Sequence, residues 1–340
     1  MNVLLSVGFV LTWSSGFIGA KLGAAEASAV TTLMWRFLPL ALVLAAVVGR
    51  RAVRELTARS LARQIAVGAL SQSGYLLTVY YAIQLGVSSG TTALIDGTQP
   101  LVAGALAGPL LRQYVTARQW AGLCLGLAGV LVVTTADATA VTGVPPWAYG
   151  IPFLGMMSLV AATFVESRST TRVEPMVGLG VHCATSAVVF TLLAVATGDA
   201  TPPAAPSFWL SLVWLVGLST FGGYGLYWVV LRRDGLTRVN TLMFLMAPVT
   251  AVWGALMFGE PFGVRTALGL ALGLAAVVVV RLGPVFKLPS FARRAAPRRL
   301  VRALGVPGAR PRTGRTWPCA RCGESACQAS RGRGEFEDRP

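Results

Sequence analysis

Long apolar stretches alternate with short polar connections over the first 283 residues of this 340-residue chain. Ten apolar segments lie at about residues 3–20, 29–49, 65–85, 91–111, 119–136, 148–167, 176–197, 208–231, 239–258 and 266–282. Most are close to the ~20 residues that a helix needs to cross about 30 Å of hydrocarbon. Several connections are so short that neighbouring helices must be antiparallel. The pattern predicts an all-α polytopic membrane protein with ten transmembrane helices.

The apolar pattern contains an internal repeat. The segments Gly122–Val130 (GLCLGLAGV) and Gly269–Val277 (GLALGLAAV) share seven of nine residues. Each copy has an arginine four residues upstream, and each follows a helix with an internal proline, at 22 and 21 residues' distance. We therefore expect a first five-helix repeat at residues 1–136, a linker at 137–147 and a second five-helix repeat at 148–283.

Arginines are concentrated in alternate connections. The connections after the even-numbered segments hold twelve of them, whereas those after the odd-numbered segments hold only Lys21 and Arg265. The twelve are Arg50, Arg51, Arg54, Arg59, Arg63, Arg112, Arg118, Arg168, Arg172, Arg232, Arg233 and Arg238. The positive-inside rule then places both termini in the cytoplasm and the 137–147 linker outside. We expect a multi-pass protein of the plasma (cytoplasmic, or cell inner) membrane.

This topology gives the two repeats opposite orientations. Helices one to five start inside, whereas helices six to ten start outside. Inverted repeats that enclose one site near the bilayer midplane are typical of secondary transporters, because such a site can face either side in turn.

Composition agrees with a membrane protein, since charged residues make up 12% of the chain, against about 25% in soluble domains. The net charge of +16 does not indicate a nucleic-acid partner, because the arginines lie beside the apolar segments and in the tail. The tail, residues 284–340, is rich in Pro, Arg and Gly and is predicted to be a disordered, basic cytoplasmic segment. We expect its stretch Arg293–Arg302 to lie against anionic lipid.

Three tail cysteines, Cys319, Cys322 and Cys327, have the spacing C-x2-C-x4-C. A zinc site needs a fourth ligand, and the one histidine of the chain is in a distant apolar segment. We therefore predict no metal ion and no cofactor.

Asp96 is the candidate site residue that the sequence singles out. It lies six residues into the fourth segment, with Thr92 and Gln99 at helical spacing on the same face. Pro100 removes the backbone hydrogen bond to the Asp96 carbonyl and invites a kink there. Polar groups avoid lipid, so this face is expected to line an interior cavity, where Asp96 would bind a cationic group or a proton. The alternative is a carboxylate wetted at the outer interface.

Counting back from the second proline gives the corresponding face of the ninth segment. Asn240 takes the place of Thr92, and Phe244 takes the place of Asp96. The carboxylate is therefore not repeated, and a polar cavity wall opposite an apolar wall suits an amphipathic organic solute.

Two further features concern packing. Arg36 lies seven residues into the second segment, and we interpret it as a structural charge that needs an interior partner. Small-xxx-small pairs allow close contact between helices and are expected to pack the two halves together. These pairs are Gly122 with Gly126 and Gly269 with Gly273.

Several motifs occur in the order of a known family. The first segment ends Trp13-Ser-Ser-Gly-Phe-Ile-Gly-Ala-Lys21, and the second carries Arg36-Phe37. The third and fourth segments contain the stretch Tyr81–Leu94 (YAIQLGVSSGTTAL), which is followed by Pro100. The ninth segment contains Ala247-Pro248 and is followed by Gly259-Glu260-Pro261. Over residues 1–283 the chain resembles the ten-helix EamA-type exporters of the drug/metabolite transporter (DMT) superfamily. It departs from them at Gly108-Pro109, where the family usually has Gly-Glu, and in its long basic tail.

The resemblance implies a secondary transporter that exports small organic metabolites, such as amino acids or related compounds. It also implies that the first, third and eighth helices line the central cavity, and it allows a homodimer. Aromatic candidates for the pathway on these helices are Trp13, Tyr75, Tyr80, Tyr224 and Trp228.

Other functions stay open at this point. The chain could be a multidrug efflux pump or a metabolite importer, and less readily a membrane-embedded enzyme or a receptor that does not transport. One histidine and few carboxylates within the apolar segments argue against an enzyme. The sequence contains no Walker motif, so ATP does not drive transport directly.

Overall fold

The structure, a computed structural model, describes residues 3–111, 116–169, 173–234, 239 and 242–281. All regular elements in these ranges are helical. They are α1 Val3–Ala24, α2 Ala29–Glu55, α3 Ala58–Gly68, α4 Tyr75–Gln84, α5 Ser89–Gly97, α6 Gln99–Leu111, α7 Ala117–Ala140, α8 Ile151–Ser167, α9 Pro175–Thr197, α10 Pro206–Trp214, α11 Tyr224–Asp234, α12 Met246–Phe258 and α13 Val264–Arg281. A 3₁₀ turn, Pro146–Gly150, leads into α8.

Six helical stretches of the described chain are long and apolar enough to cross a membrane. They are Val3–Ala24, Ala29–Ala52, Ala117–Ala140, Pro146–Ser167, Pro175–Thr197 and Pro206–Asp234. Two shorter apolar helices are Met246–Phe258 and Val264–Val280. The predicted all-α membrane class agrees with this content, while the count of ten spans stays a prediction. The basic tail and its cysteines lie outside the described residues.

Three of the irregularities in the described helices lie close to the site. A π-helical segment, Ala69–Gly74, joins α3 to α4, and a second, Leu215–Gly223, joins α10 to α11. The third is a turn at Thr98 between α5 and α6, two residues before Pro100. The predicted kink is therefore a break, because the proline ring leaves the carbonyl of Asp96 without its helical partner.

The helix connections meet at two ends of the bundle. At one end, which we call the Glu260 end, the Ala29 N–H donates to Oε1 of Gln84 at 2.9 Å, and Lys21 pairs with Glu260 at 3.5 Å. At the opposite end, the Glu166 end, Arg51 pairs with Glu174 at 3.7 Å.

The basic residues follow this division. Of the twelve connection arginines, the described ones belong to the Glu166 end: Arg50, Arg51, Arg54, Arg59, Arg63, Arg118, Arg168, Arg232 and Arg233. Lys21 and Arg265 belong to the Glu260 end. Helix α7 continues to Ala140, so the first residues of the predicted 137–147 linker are helical.

Helices α7 and α13, which carry the repeated segments, pack closely through glycines. A Cβ atom on Gly129 would lie 2.6 Å from the carbonyl oxygen of Gly269 and 3.0 Å from the nitrogen of Gly273. A Cβ atom on Gly122 would collide with Val280 of α13. One on Gly126 would lie 2.8 Å from Leu101 of α6. These glycine faces are thus in use within the chain, so a dimer through the same helices would need another face.

A buried apolar core includes side chains of α2 and α9. The rings of Phe37 and Phe190 stack with centroids 5.8 Å apart, and Leu33 is fully buried beside them. These contacts pack α2 against α9.

We predict opposite effects for two glycine-to-alanine changes within helices. Gly129→Ala should lower the melting temperature, because its methyl group meets backbone atoms of α13. Gly49→Ala in α2 meets no atom within 4 Å and should raise stability by up to about 1 kcal/mol through helix propensity. Thermal unfolding of both variants and the parent in one detergent checks this. Equal shifts for the two variants would contradict the packing.

Candidate functional site

A cavity of about 510 Å³ lies between the helices. It continues into a recess of about 70 Å³ beside α2. The two spaces share part of their lining, which is Trp13, Phe17, Ser71, Gln72, Tyr75 and Tyr224. Because both halves of the chain contribute to this lining, the cavity lies at the place where they meet.

The cavity reaches the surface at the Glu166 end. Its lining there includes Glu166, which is exposed, and Glu174, whose side chain is 39% exposed. Gln64 uses both ends of its amide. Its Oε1 accepts from Nε2 of His182 at 2.8 Å, and its Nε2 donates to Glu166 at 3.2 Å. This mouth is therefore polar.

Aromatic rings form much of the wall. Trp13 contacts Tyr224 at 5.5 Å and Tyr227 at 5.9 Å between ring centroids. Tyr75 and Trp228 line the main cavity, and Tyr80 lines the recess. The structure thus brings the five aromatic residues singled out from the sequence to the same connected space.

Asp96 lies at the end of α5, just before the break at Thr98. Its Oδ2 accepts a hydrogen bond from the Tyr75 hydroxyl at 2.7 Å. Its Oδ1 is buried and has no hydrogen-bond partner among the described residues. Asp96 also lines the main cavity, so its carboxylate lies at the cavity wall and has one oxygen without a partner among the described residues.

The other members of the predicted polar face separate. Gln99 lines the cavity and donates from Nε2 to Thr163 at 3.2 Å. Thr92 is fully buried and donates to the carbonyl of Ser88 at 3.1 Å, outside the cavity lining. It shares a face with Asp96 but lies one turn nearer the Glu260 end, where the helices have closed. Asn240 lies outside the described residues.

Arg36, which the sequence analysis interprets as a structural charge, lines the recess. It is 5% exposed and donates from Nη1 to the Tyr80 hydroxyl at 2.5 Å. Its Nη2 donates to Thr220 at 3.1 Å and to Ser219 at 3.4 Å. The guanidinium thus sits between α4 and the second π-helical segment.

The Glu260 end is closed by two carboxylates around the start of α5. Glu260 accepts from the Ser89 N–H at 3.0 Å and from the Ser89 hydroxyl at 2.7 Å, in addition to its ion pair with Lys21. Asp137 accepts from the N–H and the hydroxyl of Ser88 and from the Thr91 hydroxyl at 3.0 Å. Carboxylates are favourable there because the first N–H groups of a helix have no partner within the helix.

The sequence alone does not give the partners of these carboxylates. It places Asp137 in the linker and Glu260 in the Gly-Glu-Pro motif. The signal available was position: each carboxylate follows an apolar segment closely, at the end of the bundle that also holds Lys21.

The chain is similar to known transport proteins over most of its length. The sequence model of the EamA-like transporter family matches residues 1–135 and again residues 147–282. A probable terminal-alkyne amino-acid exporter of Streptantibioticus cattleyicolor is 26% identical over 280 residues, covering 80% of this chain and 90% of that protein. An S-adenosylmethionine/S-adenosylhomocysteine transporter of Chlamydia trachomatis is 28% identical over 202 residues, covering 55% and 61%.

One crystal structure superimposes with a TM-score of 0.56 at 19% identity, covering 82% of this chain and 96% of the other, which shows a shared fold. The motif order had predicted the family, and the two matches to the family model confirm it. The chain belongs to the EamA-like transporter family and is a multi-pass membrane transport protein of the DMT superfamily.

Proposed function

We propose that the protein is a secondary transporter that exports small organic metabolites, such as amino acids or related compounds, by alternating access. The observation that carries the proposal is the central cavity, which reaches the surface at the Glu166 end and is closed at the Glu260 end. Alternating access requires such a site, open to one side at a time.

The names of the relatives support the substrate class. One is named a probable terminal-alkyne amino-acid exporter, and another an S-adenosylmethionine/S-adenosylhomocysteine transporter. All of these are small organic metabolites. The mixed lining of the cavity, with aromatic rings and a few polar groups, suits molecules of this kind.

Ten spans arranged as two inverted five-helix repeats, at residues 1–136 and 148–283, belong to this proposal. The double match to the family model supports the division. So do the two π-helical segments, Ala69–Gly74 and Leu215–Gly223, since each falls in the third span of its proposed repeat.

The Glu166 end is proposed to face the cytoplasm, together with both termini. The described connection arginines are concentrated at that end, and positively charged connections are retained on the cytoplasmic side. The conformation described above is then open to the cytoplasm. Export would require the contacts of Glu260 and Asp137 around α5 to break.

Asp96 is proposed as the polar anchor of the site. It costs roughly 2.5–3.5 kcal/mol to place an aspartate at the centre of a membrane helix by insertion scales, so a compensating use is expected. Its Oδ1, buried at the cavity wall, has no hydrogen-bond partner among the described residues and can accept from a cationic group of the substrate or hold a proton.

The topology predicts the side on which reporters appear. A reporter enzyme fused after Gly283 should be active only as a cytoplasmic reporter, and one inserted in the 198–207 connection should be active only outside. Paired fusions to a cytoplasmic and an extracytoplasmic reporter measure this. An extracytoplasmic signal from the fusion after Gly283 would overturn the ten-span arrangement.

Asp96→Asn keeps the size of the side chain and removes its charge. Counterflow in proteoliposomes, with a panel of amino acids and cationic drugs, gives the parent's substrates. If the carboxylate binds a substrate amine, the variant should lose affinity for amines by about tenfold or more and keep it for neutral analogues, since a charged hydrogen bond contributes about 1.5–3 kcal/mol. If it carries protons, the variant should lose pH-driven transport and keep exchange.

Asp234→Asn, at the exposed end of α11, is the matched control and should behave as the parent. An Asp96→Asn protein that transports as the parent does in both assays would remove Asp96 from the site. Counterflow of none of the panel compounds by the parent would count against the transport proposal itself.

A further inference from the structure

Arg36 is a buried cation that forms no ion pair with any carboxylate of the described residues. No carboxylate of the described residues lies within ion-pair distance of it, and its partners are the hydroxyls of Tyr80, Ser219 and Thr220. Its Nε is buried and has no hydrogen-bond partner. Neutral hydroxyls orient a guanidinium, but they do not compensate its charge. An arginine keeps that charge inside proteins.

The second π-helical segment fixes this orientation. Thr220 donates its own hydroxyl hydrogen to the carbonyl of Leu215, five residues earlier, at 3.1 Å. The lone pairs of the hydroxyl are then free to accept from Arg36. Single π turns inside α-helices are frequent at functional sites, and here one of them holds a charge at the edge of a cavity.

Space for a counter-ion exists beside the guanidinium. Arg36 lines the recess of about 70 Å³, which joins the main cavity through their shared lining residues, among them Tyr75 and Trp13. An anionic group that enters from the main cavity can therefore reach Arg36. A planar guanidinium is well suited to a carboxylate, because it can donate two parallel hydrogen bonds.

A carboxylate that has no cationic partner among the described residues lines the same connected space. Oδ1 of Asp96 is buried without a partner, and its Oδ2 is held by Tyr75, which lines both the recess and the main cavity. A cation thus lines the recess and an anion lines the main cavity, both without an ionic partner among the described residues. The Trp13 and Tyr224 rings line both spaces.

We propose that Arg36 is the anion subsite and Asp96 the cation subsite of one binding site, so that its substrates are zwitterions. The substrate carboxylate binds Arg36, the substrate ammonium binds Asp96, and an apolar side chain packs on the aromatic wall. This inference rests on the proposed transport through the cavity. It adds a role for Arg36 and a rule of selectivity: molecules with both charges are preferred over amines and acids of the same shape.

The test compares one amino acid with derivatives that lack one charge. L-leucine, L-leucinamide and N-acetyl-L-leucine, and the same three forms of L-phenylalanine and L-threonine, compete for counterflow by the full-length parent protein. The free amino acid that binds best should exceed its amide and its N-acetyl form by at least tenfold in apparent affinity. Equal affinity for the amide would overturn the inference and leave the transport proposal standing.

Variants of Arg36 separate a ligand role from a structural one. Arg36→Gln should lower the apparent affinity for the free amino acid by at least tenfold and leave the affinity for the amide unchanged, so that the two compounds bind alike. Arg36→Lys keeps the charge but loses the planar fork, and should retain part of the preference. If Arg36 is merely structural, both variants should lose affinity for all compounds equally, and that result would overturn the inference.

Arg54→Gln is the matched control, because Arg54 is an exposed arginine in the same helix. It should keep the parent's preference. Size-exclusion profiles identify variants that fail to fold, and the parent's own selectivity decides the inference if both Arg36 variants do. If no compound of the panel gives counterflow with the parent, the transport proposal fails and the inference falls with it.

Discussion

Hydrocarbon offers no hydrogen bonds, and this constraint sorts the polar side chains of the protein. A charged or polar group in a span must find a partner inside the bundle or face a cavity. At the Glu260 end the two carboxylates are satisfied: Asp137 and Glu260 accept from the serines that start α5, and Lys21 balances one of the charges. In the centre, Arg36 and Asp96 each have a buried polar atom without a hydrogen-bond partner among the described residues, and both residues line the connected space. The first arrangement closes the bundle, and the second leaves a site.

The cavity lies where the helices are irregular. The two π-helical segments supply Gln72 and Thr220, and the break at Thr98 separates Asp96 from Gln99. Irregular backbone in a membrane protein is tolerated where it is buried in protein or lines a cavity. The long regular helices, by contrast, pack against one another, as α7 and α13 do through their glycines. Rigid walls and irregular centres are what a site that changes its accessibility needs.

The sequence predicts the helical class, the repeated glycine helices and the aromatic lining well, because each depends on composition at regular spacing. It fails where an answer depends on how deep the cavity extends. Thr92 and Asp96 share a helix face, yet only Asp96 reaches the cavity, because the helices close between them. The π-helical segments have no sequence pattern that distinguishes them from α-helix, so the contacts of Arg36 with Thr220 could not be foreseen. The sequence analysis places Asp137 in a linker because the apolar pattern of the fifth segment ends near residue 136, whereas α7 continues to Ala140.

The central claim is that one cavity opens to one side of the membrane at a time. A single cysteine at Ser71, in a protein whose native cysteines are replaced, probes it with a membrane-impermeant thiol reagent in vesicles of both orientations. Labelling should be fast from the cytoplasmic side and much slower from outside. Adding Glu260→Gln, which removes the ion pair with Lys21, should raise the outside rate. Equal labelling from both sides in the parent, or an outside rate that Glu260→Gln does not change, would contradict the account.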